Sequence, residues 1–113
     1  MTANRRRGEI AAELDGKTYR LCLTLGALAE LESAYAADDL GQLVERFARG
    51  RLSALDMIRV IGAGLRGAGN DIADRDVGAM HSEEGAAGFA AIVTDLLTAT
   101  FGSARAEAQP PNP

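Results

Sequence analysis

Three groups of residues in this 113-residue chain have types and spacings that could support chemistry. The first, Gly62-Ala63-Gly64-Leu65-Arg66-Gly67, matches the GxGxxG pattern of dinucleotide-binding sites. In those sites the pattern follows a strand and opens a helix, so that backbone N–H groups meet the pyrophosphate. Here the pattern falls at the end of a predicted helix. It therefore favours small residues for close helix packing, followed by a helix stop.

The second group is the acidic set Asp71, Asp74 and Asp76. A calcium loop of the EF-hand type needs oxygen ligands at alternating positions and a closing Glu at the twelfth position. Counted from Asp74, the twelfth residue is Gly85, so the loop pattern fails. These residues indicate a solvated acidic linker with helix-capping aspartates.

The third group is Cys22 and His81, the single cysteine and the single histidine of the chain. With a nearby acid they could in principle form a nucleophilic triad. However, Cys22 is expected on a strand opposite Glu9, a position that raises the thiol pKa. One cysteine also excludes an internal disulfide and any multi-cysteine metal site. We therefore predict no catalytic, cofactor-binding or metal-binding residues, and a protein that is not an enzyme.

Bulk composition indicates one small domain with an aliphatic core, since 47% of residues are hydrophobic and 4% aromatic. A small core of this kind makes self-association an expectation. The net charge of −4 argues against a general nucleic-acid-binding protein. Arg5-Arg6-Arg7 is not followed by an apolar run, and no segment is long and apolar enough to cross a membrane. We therefore expect a protein that is cytosolic where it is made.

A β-hairpin is predicted over residues 8–23. Asp15-Gly16 is a favoured two-residue turn, and it sets the register that pairs Ile10 with Leu21 and Glu9 with Cys22. The apolar residues then fall on one face, as in a sheet covered on one side.

Helices are predicted over 25–37, 40–49, 54–67 and 83–101. N-capping patterns place their starts, with Ser53 and Asp56 forming a capping box. Apolar stripes at helical spacing define their buried faces, including Leu25 in the first helix and Leu55 in the third. The predicted fold is α+β and mainly helical, with an N-terminal β-hairpin packed on about four helices. Residues 8–102 form the single domain, between a disordered basic N-terminus over 1–7 and a disordered tail over 103–113.

Two surfaces are candidates for partner contact. Arg46, Arg49 and Arg51 form a basic rim around a helix–loop–helix unit, and the rim could dock an acidic protein partner. The same unit leaves open a small helix-turn-helix DNA-binding regulator as an alternative. Ala87 and Ala91 on the last helix would allow close approach of a neighbouring backbone.

Several of these stretches together resemble a known family of small phage-related proteins. They are Asn4-Arg5, Arg7-Gly8-Glu9, Leu14-Asp15-Gly16-Lys17, Leu25-Gly26-Ala27-Leu28-Ala29-Glu30-Leu31-Glu32 and Gly64-Leu65-Arg66-Gly67-Ala68-Gly69. The family comprises small tail proteins of gene transfer agents and long-tailed phages, known as tail tube proteins or tail assembly chaperones. The resemblance covers residues 4 to about 70 through structural rather than catalytic motifs.

The resemblance implies a role in building a long non-contractile tail. A tail assembly chaperone would bind the tape-measure protein, keep its apolar helices soluble and bring tail-tube protein to it. A structural tube component is the alternative, in which case the protein would be found in the particle tail. Because tube subunits typically close a ring from extended β-sheet, the mainly helical pattern favours the chaperone.

Overall fold

The computed structural model describes residues 3–35 and 39–102. Its elements, in chain order, are a 3₁₀ turn (Arg5–Arg7), β1 (Glu9–Leu14), β2 (Lys17–Cys22), α1 (Leu25–Tyr35), α2 (Asp39–Ala48), α3 (Ala54–Gly67), α4 (Asp74–Gly78), α5 (Ala86–Leu97) and a π-helical turn (Thr98–Gly102). The architecture is α+β and mainly helical, with an N-terminal hairpin, as predicted. The predicted tail over 103–113 and the predicted end of the first helix lie outside the described residues.

The hairpin has the predicted register at all six paired positions, including Ile10 with Leu21 and Glu9 with Cys22. Asp15 and Gly16 both have positive φ, 54° and 75°, as this two-residue turn requires. Alternate residues of β1, namely Ile10, Ala12 and Leu14, are buried. One face of the hairpin is therefore in the core and the other faces solvent.

Helix α3 is the centre of the fold, and it contacts β2, α1, α4 and α5. It begins with the predicted capping box, in which the Ser53 hydroxyl accepts from the Asp56 N–H and the Asp56 carboxylate accepts from the Ser53 N–H. Fully buried aliphatic side chains from the hairpin, α1, α3 and α5 meet in the core, and each stabilises the fold by about 2 kcal/mol. The largest of them are Ile10, Leu14, Leu21, Leu31, Ile61, Leu65, Leu96 and Leu97.

Two leucines that the helical stripes predicted to be buried are exposed. The side chains of Leu25 and Leu55 are 84% and 52% exposed. In α1 the buried face instead follows Ala27, Leu31 and Tyr35, because α1 packs on α3 where Ala27 meets Gly67. The prediction for these two leucines was wrong, since each lies in the first turn of its helix, off the face that contacts the core.

The last helix begins at Ala86 rather than at residue 83. Ser82 donates its hydroxyl to the carbonyl of Gly85. Gly85 has a φ of 61°, which is not a helical value, so the helix cannot begin before Ala86. The short helix α4 occupies the middle of the acidic linker, where Asp76 accepts a hydrogen bond from the N–H of Ala73. Asp76 therefore caps a helix, as predicted for this acidic segment.

Candidate protein-interaction site

The basic rim predicted for partner contact begins with Arg46, whose guanidinium is turned toward the protein. It donates to both carboxylate oxygens of Asp56, at 3.2 and 2.9 Å. Tyr35 donates its hydroxyl to the same carboxylate at 2.5 Å. Asp56 is 4% exposed, and its carboxylate accepts four hydrogen bonds within the protein, two from Arg46, one from Tyr35 and one from the Ser53 N–H.

This cluster shifts the titration of both acidic groups. Burial alone would raise the pKa of Asp56, but the hydrogen bonds from Arg46, Tyr35 and Ser53 outweigh burial and lower it to about 2. Burial, and then the hydrogen bond to Asp56, raise the pKa of Tyr35 to about 12. Both shifts belong to a structural network that holds α1, α2 and α3 together.

Two further arginines, beyond the three of the predicted rim, make internal contacts. Arg59 lies over the ring of Tyr35, with its guanidinium carbon 4.9 Å from the ring centroid. Arg66 donates to Glu30 on α1 at 2.8 Å and lies 3.0 Å from a carboxylate oxygen of Asp74 on α4. Both cations therefore connect helices within the protein.

The other predicted contact residues are exposed to solvent. Arg49 forms an ion pair of 3.5 Å with Glu45 one turn earlier in α2, and Arg51 lies in the loop before α3. Ala87 and Ala91 are exposed on α5, and Ala91 borders a shallow depression with Glu13. The two predicted surfaces therefore lie on different elements of the fold.

The GxGxxG segment is a packing motif. A Cβ on Gly67 would overlap the carbonyl oxygen of Cys22 in β2, and one on Gly62 would overlap the Asp74 carboxylate. A Cβ on Gly64 would lie 2.6 Å from a methyl group of Leu96 in α5. Each glycine thus lets a different neighbour approach α3 closely. The prediction of small residues for close packing at a helix end is confirmed.

Cys22 lies at the end of β2, whereas His81 contacts the hairpin turn before the start of β2, so the two do not form a catalytic pair. The Cys22 thiol donates to the carbonyl of Arg7 at 3.5 Å, and burial, followed by the charge of Glu9, raises its pKa. The His81 side chain is 89% exposed, 3.6 Å from Asp15 at the surface. The His81 backbone instead holds the hairpin turn, because its carbonyl accepts from the Asp15 N–H at 2.8 Å and its N–H donates to the Asp15 carboxylate at 2.8 Å.

An apolar groove runs between α3, α4 and α5, and the sequence analysis did not find it. Its volume is about 200 Å³ and it is half open to solvent. Its lining consists of Ala54, Met57, Ile58, Ile61, Val77, Gly78, Met80, Ala86 and Phe89. The methionines and the phenylalanine are only partly buried, and methionine side chains adapt readily to different partner shapes. The groove was missed because its walls come from helices whose relative positions the sequence pattern does not define.

Among residues 3–35 and 39–102, no group of three or more His, Cys, Asp or Glu side chains could hold a metal ion. None of the helices described there has the length and apolar character needed to cross a bilayer. The groove and the exposed arginines and alanines are features of the described surface that could meet a partner.

Comparison with known proteins gives one assignment. The family described as phage tail tube protein, GTA-gp10, matches residues 7–103, which is most of the chain. No curated protein and no solved structure shows significant similarity to the chain. The match extends past the resemblance seen in the sequence, through α4 and α5. The chain therefore belongs to the GTA-gp10 family of phage tail proteins.

Proposed function

We propose that this protein is a non-enzymatic tail assembly chaperone of a gene transfer agent or phage-like particle. Its partners would be the tape-measure protein and the tail-tube protein, which it would meet in the cytoplasm of the producing bacterium. Self-association into a homo-oligomer is part of the proposal. Binding to membranes is not, and binding to nucleic acid is disfavoured by the net charge of −4.

The observation that carries the proposal is the balance of strand and helix. The described residues contain a two-stranded hairpin and five helices. A tube subunit needs sheet that continues from one subunit to the next around a ring. One short hairpin, with its apolar face already buried in the core, offers little sheet for this purpose. A half-open apolar groove between helices is better suited to transient binding of apolar segments.

The five predicted contact residues differ in how well they fit this proposal. Arg49, Arg51, Ala87 and Ala91 are exposed and remain candidates for partner contact. Arg46 is the weakest of the five, since its charge is already compensated by Asp56.

A structural tube component is the second candidate, and the family description favours it. Mass spectrometry of purified particles separates the two. The chaperone proposal expects the chain in lysates, bound to tape-measure protein, and absent from particles that contain the major tail protein. A fixed copy number in the particle would establish the structural alternative. Binding to duplex DNA that weakens steeply with salt would instead indicate the regulator.

A further inference from the structure

We infer that the outer edge of β1 is a docking site for an extended segment of another protein, one that carries lysine or arginine at alternate positions. The segment would add a third strand to the hairpin, as in other cases of peptide recognition by a sheet edge. The inference deepens the proposed function and rests on it, because it names the kind of segment that a partner would present to this protein.

Alternate residues of β1 direct their backbone groups away from β2. In an antiparallel pair of strands, opposite residues alternate between exchanging two hydrogen bonds and exchanging none. The two-residue turn makes Leu14 and Lys17 a hydrogen-bonded pair. Ala11 and Glu13 therefore belong to the two kinds of position that follow from it in opposite order: both fall on non-bonded pairs, and their N–H and C=O groups point outward.

This edge is closed at its two ends and open between them. At one end the N–H of Glu9 donates to the carbonyl of Asn4 at 3.0 Å, and at the other the N–H of Asp15 donates to the carbonyl of His81 at 2.8 Å. Between these ends, no residue within 3–35 or 39–102 bonds to the outward-facing groups of positions 11 and 13. Both positions are exposed. An unpaired run of this kind is a template for strand addition.

The outer edge of β2 is covered over most of its length. The Asn70 side chain donates to the outward-facing carbonyl of Arg20 at 3.0 Å. Helix α3 approaches the carbonyl of Cys22 so closely that a Cβ on Gly67 would overlap it. The sheet can therefore grow from β1 alone, so copies of this chain cannot join β1 to β2 in series.

A shallow depression of about 190 Å³ lies beside the open edge, between β1 and α5. Its lining includes three small or apolar residues of α5 and three acidic residues, namely Gly88, Ala91, Ile92, Glu13, Glu83 and Glu84. The three carboxylates are exposed, and no ion pair within the described part of the chain includes them. The cations of the hairpin, Lys17 and Arg20, lie on β2, one strand farther from the edge. The depression thus suits a side chain with an aliphatic stem and a cationic end.

A second copy of the chain is a poorer occupant, because it would have to present its own β1. The positions of β1 and its turn that share the solvent face are Glu9, Ala11, Glu13 and Asp15. Antiparallel pairing centred on residue 11 puts Glu9 opposite Glu13 of the copy, and pairing centred on residue 12 puts Glu9 opposite Asp15. Pairing centred on residue 13 puts the two Glu13 side chains opposite each other. Like charges directly opposite one another destabilise a strand pair, so the segment is expected from a different protein.

The first test asks whether the edge is open in the free chain. Amide hydrogen exchange followed by NMR should show the N–H groups of Ala11 and Glu13 exchanging at least about tenfold faster than those of Ile10 and Ala12, which bond to β2. Equal protection of the four amides would show that the edge is already covered, and it would overturn the inference.

The second test uses three synthetic peptides of about eight residues, an ordinary strand length. One alternates lysine with threonine, the second has glutamate in place of lysine, and the third keeps lysine but carries methyl groups on the lysine backbone nitrogens. Fluorescence anisotropy with the full chain at low salt should give a dissociation constant about tenfold lower for the first peptide than for either of the others. Equal affinity of the N-methylated peptide would show that charge alone attracts it, and it would overturn the inference.

The third test changes the edge itself. Ala11→Pro removes an outward-facing N–H, a change that an edge strand tolerates. Thr18→Pro is the matched control, because Thr18 is opposite Glu13 and its N–H points outward from β2. Binding of the lysine peptide should weaken about tenfold for Ala11→Pro and less than about twofold for Thr18→Pro. Circular dichroism verifies that each variant is folded. Glu13→Lys keeps the backbone and should reverse the preference between the lysine and glutamate peptides. Equal losses for the two proline variants would contradict the edge of β1 as the site.

Failure of the inference can be told apart from failure of the proposed function. If Ala11→Pro co-purifies with tape-measure protein as well as the unchanged chain does, the edge is wrong and the chaperone function stands. If the lysine peptide binds as expected but the chain has a fixed copy number in particles, the function is wrong and the edge stands. A dimer in sedimentation that Ala11→Pro abolishes would identify a second copy as the occupant and overturn the inference.

Discussion

The hydroxyl of Tyr35, at the end of α1, donates a hydrogen bond to the buried carboxylate of Asp56, at the start of α3. Arg46 from α2 completes the arrangement by binding both oxygens of the same carboxylate. A single aspartate therefore connects three helices that are separated in sequence. Its contribution to stability can be measured directly.

Asp56→Ala should lower the free energy of unfolding by about 3 kcal/mol, because it leaves Arg46 and the Tyr35 hydroxyl without their partner and removes half of the capping box. Tyr35→Phe should cost about 1 kcal/mol, since it removes one hydrogen bond and keeps the ring in place. Arg49→Ala is the matched control. Its ion pair with Glu45 is exposed, so the loss should be under about 0.5 kcal/mol. Urea unfolding measures all three, and equal losses for Asp56→Ala and Arg49→Ala would contradict the assignment.

Stability should fall in acid because of Asp56. Its pKa is about 2 in the folded protein against an ordinary value of 3.8, so the unfolded chain takes up the proton first as the pH falls. The resulting stabilisation, about 2 kcal/mol, is complete above pH ~5 and is lost as the pH falls through ~4 to ~2. Urea unfolding at several pH values gives the free energy of unfolding of the unchanged chain and of Asp56→Asn. The difference between the two should become smaller as the pH falls through this interval. A gap that stays constant with pH would show that Asp56 titrates alike in both states.

The hydroxyl of Tyr35 should lose its proton at a higher pH in the folded protein than in the unfolded chain. The chain has two tyrosines, so Tyr19→Phe leaves Tyr35 as the single phenol to follow by ultraviolet absorbance. The midpoint should lie near pH 12 in the folded protein and near the ordinary value of 10 in urea. Because the folded-state pKa is the higher one, the associated stabilisation is complete below pH ~10 and is lost between ~10 and ~12. Identical midpoints with and without urea would show that neither burial nor the hydrogen bond to Asp56 raises the pKa of Tyr35.

Gly67→Ala should destabilise the fold by about 2 kcal/mol or more, because the new methyl group would overlap a backbone carbonyl of β2 that cannot move alone. Gly41→Ala is the matched control within α2. No atom lies within 4 Å of the position of its added Cβ, so helix propensity should raise stability by up to about 1 kcal/mol. Thermal unfolding of the two variants should therefore shift in opposite directions. A tolerated Gly67→Ala would contradict the close approach of α3 to β2.

The elements that sequence analysis described best are those defined by local chemistry. The Asp15-Gly16 turn determines the hairpin register because the turn geometry and the alternating pattern agree. The Ser53–Asp56 capping box is equally local, and it places the start of α3. The start of α5 was misplaced because the turn closed by Ser82 and Gly85 competes with the helix for the same residues.

What the pattern could not provide is the meeting of distant residues. Asp56 was assigned to a capping box and Arg46 to a basic rim, and only the packing of three helices brings Arg46 and Tyr35 to Asp56. The groove is similar, because Met57 and Phe89 become neighbours through the position of α5 on α3. The sequence around one such side chain does not indicate which distant side chain it will contact.

The reciprocal contact of Asp15 with His81 has a consequence for biosynthesis. The two residues are 66 positions apart, so a growing polypeptide emerging from the ribosome has already exposed the hairpin long before its anchor is made. A two-stranded hairpin is marginally stable alone in water. Its apolar face therefore stays uncovered until α3 has been made, and its turn stays without its anchor until His81 follows, so the domain matures as one cooperative unit.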